Sequence, residues 1–188
     1  GQVVIRPKAG KTWRARKEEG GGCLHDYASH VIDLMNYIVG APKRVVGARL
    51  ARVFSQHVED AVYAVFEYAN GATGTLETNW SDETYRKMTT SVALYGTRGK
   101  IVVDRQELKV YLRQGAALED YPEGWSVRYI TDLQNPVAFY LRGEEYSAQI
   151  DSFIQAVKDR DPAPVNSFAS AYETDVVVAQ IAETADRS

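Results

Sequence analysis

The chain has 188 residues, 45% hydrophobic and 25% charged, with a formal net charge of −3. That length suits one medium domain, which buries roughly 70% of its unfolded-chain surface and folds without a disulfide or a structural metal. The basic residues are dispersed, which argues against a nucleic-acid partner. No apolar run approaches the roughly 20 residues of a membrane span. The one cysteine, Cys23, rules out an internal disulfide. A lone thiol and a start unlike a signal peptide fit a cytoplasmic protein.

In chain order, Val3-Val4-Ile5 reads as a short strand that begins almost at residue 1, so the chain is expected to be a piece of a longer protein. Residues 7 to 19 are polar and basic and read as a loop. An aromatic among cations (Lys11, Trp13, Arg14) suits a sugar or a phosphate-bearing ligand, although a solvated connection has the same composition. Gly20-Gly21-Gly22 then leads into a helix over Leu24 to Val39, stopped by Gly40 and Pro42. Strands are predicted over Lys43 to Phe54, Asp60 to Ala69 and Thr73 to Trp80, the last two joined by a type I′ turn at Asn70-Gly71. Further strands follow over Thr89 to Tyr95, Lys100 to Val103, Glu107 to Leu112 and Ser126 to Leu133. Helical spacing then predicts helices over Glu144 to Lys158 and Ser167 to Ala185, the second with Ala169, Tyr172, Val176, Ala179 and Ile181 among its apolar positions.

This order predicts an α+β fold: an open, mostly antiparallel sheet with helices packed on one face. Residues 1–188 are read as one domain. Tyr63, Tyr68, Trp80, Tyr95 and Tyr111 place large aromatics on several strands, so a sheet face left open by the helices suits an oligomer interface.

The helix after the glycines carries the tightest cluster of titratable groups. At about 100° per residue, Asp26, His30, Asp33 and Tyr37 share one stripe, with Leu24, Tyr27, Ala28, Val31, Leu34, Met35 and Ile38 on the other side. An Asp four residues before a His can hydrogen-bond the imidazole, and such a His can take a proton from a hydroxyl and return it. The same spacing also describes a solvated surface pair worth a few tenths of a kcal/mol. A metal site on Asp26 and His30 lacks a convincing third ligand, with His25 about 100° away around the helix and His57 in a loop. Nucleophile elbows, phosphate loops and a Gly-x-Gly-x-x-Gly after a strand are missing from the sequence.

The run Gly20-Gly21-Gly22-Cys23-Leu24-His25-Asp26-Tyr27-Ala28-Ser29-His30-Val31-Ile32-Asp33 resembles the Gly-Gly-Gly-x-x-x-Asp-x-Gly/Ala-x-His-x-x-Asp signature of the Gfo/Idh/MocA oxidoreductases, the glucose–fructose oxidoreductase and inositol dehydrogenase relatives. Trp13-Arg14 ahead of the glycines, the turn in Val92 to Ile101 and the Ala171-Tyr172-Glu173-Thr174 helix resemble the same family. Ala28 stands where the signature often has Gly, a mild departure. The resemblance implies a two-domain enzyme of which this chain is the C-terminal half. A Rossmann domain that binds NAD or NADP is missing, together with the lysine that usually joins the catalytic group. No cofactor is expected on this half alone. The resemblance makes His30 the acid–base group, Asp26 its partner or a substrate ligand, and Trp13, Arg14 and Lys11 substrate-site residues. It implies a sugar-like small-molecule substrate, an N-terminal Rossmann partner domain and a homo-oligomer formed through the open sheet face; from the residues themselves, no nucleic acid, membrane or metal is expected. The alternatives are a non-catalytic ligand-binding or assembly module of the same fold, and a metal-dependent hydrolase or isomerase.

Overall fold

The computed structural model describes residues 12–82, 84, 89–133 and 144–187. The predicted strand at Val3-Val4-Ile5 and the side chain of Lys11 lie outside them. The chain forms two compact units, one from Gly1–Thr90 with Phe168–Ser188 and one from Ser91–Ser167.

In the first unit, two short 3-10 turns (Trp13–Ala15 and Lys17–Glu19) precede the glycines, and the predicted helix follows. It is not uniform. Leu24–Ala28 forms a wide π turn and Ser29–Val39 continues as α1. Three antiparallel strands come next: β1 (Arg44–Ala51), β2 (Ala61–Glu67) and β3 (Thr73–Asn79), ordered β1-β2-β3. A bulge between Val45 and Gly47 shifts the β1–β2 register. Alternation along β2 sorts its side chains: Val62, Ala64 and Phe66 are buried, while Tyr63 and Val65 are exposed. On the buried face sit Val31 and Ile32 of α1 and Val177, Val178 and Ile181 of the last helix, α4 (Phe168–Asp186). The helices of this unit therefore cover one face of an antiparallel sheet.

The β2–β3 connection departs from a type I′ turn. Gly71 alone has positive φ (82°), Gly71 N–H donates to Tyr68 O (3.0 Å), and Asn70 Oδ1 accepts from Ala72 N–H (3.0 Å). A type I′ turn needs φ > 0 at both central residues. Here Asn70 uses its side chain as an acceptor and only the glycine takes the left-handed region. The apolar positions of α4 divide between its sides. Thr174, Val177, Val178 and Ile181 are buried, while Tyr172 and Val176 are exposed. Of the apolar positions that the spacing marks on this helix, Ile181 lies in the core.

The second unit is an antiparallel meander, β4-β5-β6-β7, formed by Val92–Gly96, Gly99–Val103, Glu107–Leu112 and Gly124–Tyr129. One turn of helix, α2 (Ile130–Leu133), replaces the end of the last predicted strand. On one face Val110 and Leu112 pack with Ala116 into a small core. On the other, Tyr95, Lys100, Tyr111 and Trp125 stand in one cross-strand row. Lys100 Nζ lies 4.7 Å from the Tyr95 ring and the Tyr111 and Trp125 rings are 5.2 Å apart. Tyr95 is 77% exposed and Trp125 58%. Helix α3 (Glu144–Asp159) completes the unit, with Tyr146, Phe153 and Val157 exposed. Strand pairing among the described residues thus falls into two sheets. Among those residues, no helix is long and apolar enough to cross a membrane.

Candidate functional site

The three glycines are explained by what touches them. A β-carbon on Gly21 would lie 2.5 Å from the carbonyl oxygens of both Trp13 and Arg14. Gly22 has φ +112°, and a β-carbon there would overlap the Glu59 carboxylate. The glycines therefore let the 3-10 segment close over the start of the signature helix. Hydrogen bonds hold it there: Gly21 N–H donates to Arg16 O (2.9 Å) and Gly22 N–H to Arg14 O (3.1 Å). Cys23 follows, fully buried, with its Sγ 3.7 Å from Thr78 Oγ1. Burial pushes its thiol up to about 12, which makes it an inert core group rather than a nucleophile.

The strap also supplies the partner of Asp26. Arg14 Nε donates to Asp26 Oδ2 at 2.7 Å, and the Arg14 guanidinium carbon lies 4.8 Å from the Trp13 ring centroid. The Asp26 side chain is 13% exposed and that of Arg14 40%. The expected Asp26–His30 hydrogen bond is replaced by this one. A guanidinium brings a full positive charge and a planar set of donors to the carboxylate, which a neutral imidazole does not. His30 stands exposed on the first turn of α1 and makes no hydrogen bond or ion pair with a described residue. Its ring is open to a ligand.

Asp33 does not join this group. It accepts from Thr174 Oγ1 at 3.0 Å, and Asn36 Nδ2 donates to the same hydroxyl at 3.4 Å. The far half of the polar stripe thus ties α1 to α4. Tyr37, at its end, is exposed.

Of the sequence-predicted site residues, the structure brings Trp13, Arg14 and Asp26 together at one end of the signature helix and places His30 on the next turn. Two buried acids, Glu59 and Asp60, were missed. Asp60 is fully buried and accepts three backbone N–H groups, from Val53 (2.5 Å), Phe54 (2.7 Å) and Ser55 (2.9 Å), which fixes the β1–β2 connection. Its register could have revealed it, because Asp60 shares the parity of the inward Val62, Ala64 and Phe66. Glu59 has no such signal. Its partner, Leu24, is 35 positions away. Among the described residues, no three of His, Cys, Asp and Glu are grouped to hold a metal ion.

With this geometry in view, the comparisons with known proteins are specific. No curated protein sequence matches the chain. A solved structure of levoglucosan dehydrogenase in complex with NADH and levoglucosan matches with 26% identity and a TM-score of 0.76, over 99% of this chain and 55% of that one. An oxidoreductase domain protein from Kribbella flavida matches at 22% identity, with a TM-score of 0.77 and the same coverage of both chains. An NAD binding oxidoreductase from Klebsiella pneumoniae matches at 18% identity with a TM-score of 0.77, over 98% of this chain and 55% of that one. The chain thus spans little more than half the length of the structures it resembles. Residues 4–102 match the family model described as the GFO/IDH/MocA C-terminal domain, and the chain belongs to that family.

Proposed function

We propose that this chain, residues 1–188 as one functional piece, is the substrate-binding and oligomerisation half of an NAD(P)-dependent dehydrogenase. Its substrate is a sugar, nucleotide-sugar or cyclitol hydroxyl. One observation carries the reading: Arg14 engages the Asp26 carboxylate, while the His30 imidazole one turn on is exposed and has no protein partner among the described residues. A free imidazole one turn from a held carboxylate suits a group that must take and return a proton.

In this reading His30 accepts the proton of the substrate hydroxyl as hydride leaves the same carbon. Asp26, held by Arg14, is the acid one turn before His30 and orders that end of the site. Trp13, half-exposed and stacked with Arg14, offers a flat apolar surface of the kind that sugar rings pack on, and Lys11 is retained as a further substrate contact from its sequence position. The nicotinamide cofactor, when bound, supplies the hydride acceptor. The sequence of this chain holds no dinucleotide-binding glycine motif, so the residues that grip the cofactor are assigned to an N-terminal Rossmann half, and this chain alone is inactive. The exposed Tyr95–Lys100–Tyr111–Trp125 row supports the homo-oligomer, because aromatic residues of this kind anchor protein interfaces.

The test joins the chain to its native upstream half and follows NADH or NADPH formation with levoglucosan, L-sorbose and other polyols. His30→Ala is expected to lower kcat by about 10²–10⁴-fold with little change in Tm, since the side chain is exposed. Unchanged turnover in that variant, or no turnover of any polyol by the intact protein, overturns the reading.

A further inference from the structure

The signature helix is not capped by its own sequence. Cys23, which precedes it, makes no side-chain capping bond. Its first amides are taken up by a single residue of the β1–β2 connection. The Glu59 carbonyl accepts Cys23 N–H at 3.0 Å, and the Glu59 carboxylate accepts Leu24 N–H at 2.9 Å through Oε1. Helix starts leave such donors unsatisfied, and a carboxylate there also meets the positive end of the helix dipole.

The site for this carboxylate is built. Glu59 is only 9% exposed, so its charge has to be bonded where it lies. Gly22 forms the adjoining wall. A β-carbon on Gly22 would overlap Glu59 Oε1 and stand 2.7 Å from both Cδ and Oε2. The neighbouring Asp60 carboxylate locks Val53 to Ser55 of its own loop. Glu59 is therefore mounted on a fixed segment at the start of β2 and reaches from the sheet to the helix.

We propose that Glu59 is a positioning residue for the site. By holding the first turn of the signature helix from the sheet, it sets where Asp26 and His30 stand. The catalytic consequence rests on the reading of His30 given above, whereas the clamp itself does not.

The experiment uses the full-length protein with Glu59→Ala, Glu59→Gln, Gly22→Ala and the Gly22→Ala/Glu59→Ala double variant. Three quantities are read: amide exchange at Cys23 and Leu24, the alkylation rate of the buried Cys23 with iodoacetamide, and kcat and KM. Glu59→Ala is expected to speed exchange and alkylation by about tenfold or more, a local opening that leaves Val62 and Leu76 protected. It should lower kcat by about tenfold with KM within about threefold. Glu59→Gln keeps an acceptor for Leu24 N–H and is expected to restore each value to within about threefold of the parent. Gly22→Ala should mimic Glu59→Ala and add less in the double variant than alone, because the two share one contact. If the Ala variant does not fold, Glu59→Asp, one methylene short of Leu24, takes its place.

Exchange and alkylation within about twofold of the parent in Glu59→Ala overturn the clamp. So does a loss spread evenly over the sheet amides that Glu59→Gln fails to repair. If the parent protein turns over no polyol, the dehydrogenase reading fails while exchange and alkylation still decide the clamp.

Discussion

The two units use antiparallel sheets in opposite ways. In the first, α1 and α4 cover one face of β1–β3, and the covered space holds Phe66, Trp80, Leu24, the Cys23 thiol and two buried carboxylates. In the second, the buried core among the described residues is Val110, Leu112 and Ala116, while the opposite face presents Tyr95 and Trp125. The first unit has the rigidity that a site needs, because groups that must be placed to fractions of an ångström need locked supports. The second is largely surface, which suits association with another chain. The function proposed above would place chemistry on the first sheet and assembly on the second.

The sharpest way to break this contrast is a pair of aromatic substitutions. Phe66→Ala in the covered core is expected to cost about 3–5 kcal/mol of unfolding free energy, since the transfer term and the cavity term add. Trp125→Glu on the open face loses the ring contact with Tyr111 and should cost the protomer about 0.5–1.5 kcal/mol, while lowering the mass measured by sedimentation. Denaturant titration and ultracentrifugation read the two effects. A stability loss from Trp125→Glu as large as that from Phe66→Ala would place the structural centre of the protein elsewhere.

Alkali should also separate the units. Burial raises the Cys23 thiol from its ordinary 9.0 to about 12 and raises the Tyr27 and Tyr68 hydroxyls above 10.0, and all three lie in the first unit. The unfolded chain releases these protons at lower pH than the folded one does. Stability is therefore full below pH 9 and falls as pH rises from 9 toward 12. Amide exchange should show the first unit loosening before the second over that range. Cys23→Ala should delay the onset to about pH 10, where the tyrosines take over. An onset unchanged in that variant would remove Cys23 from the cause.

Much of this was legible in the sequence, and the failures have physical causes. β6 falls on the predicted Glu107 to Leu112 because strict alternation leaves one register. The predicted Leu24 to Val39 helix is present, but a π turn at Leu24–Ala28 is invisible to a projection at constant pitch. Asp26 and His30 were identified as candidates from local spacing. The partner of Asp26 was misjudged, because Arg14 comes twelve residues earlier and arrives only when the glycines let the strap close. Glu59 was missed for the same reason: what it does depends on a contact between the β1–β2 connection and the helix, which local periodicity does not contain.

The smallest effect tests how the polar stripe of α1 is divided within the first unit. Thr174 Oγ1 donates to Asp33 Oδ1 and accepts from Asn36 Nδ2, so it joins α4 to the far half of α1. Val is nearly isosteric with Thr and removes only the hydroxyl. Asp33 is exposed and Asn36 half-buried, so water can replace the lost partner. Thr174→Val should therefore cost about 0.5–1.5 kcal/mol, the net worth of such a bond, rather than the penalty of a buried orphan. Because Asp33 ties helices while the proposed acid–base group is His30, kcat in the rejoined protein should stay within about twofold of the parent. A tenfold loss of kcat at that small cost in stability would show that Asp33 belongs to the site, and the first unit would then keep its chemistry along the whole stripe instead of at one end of it.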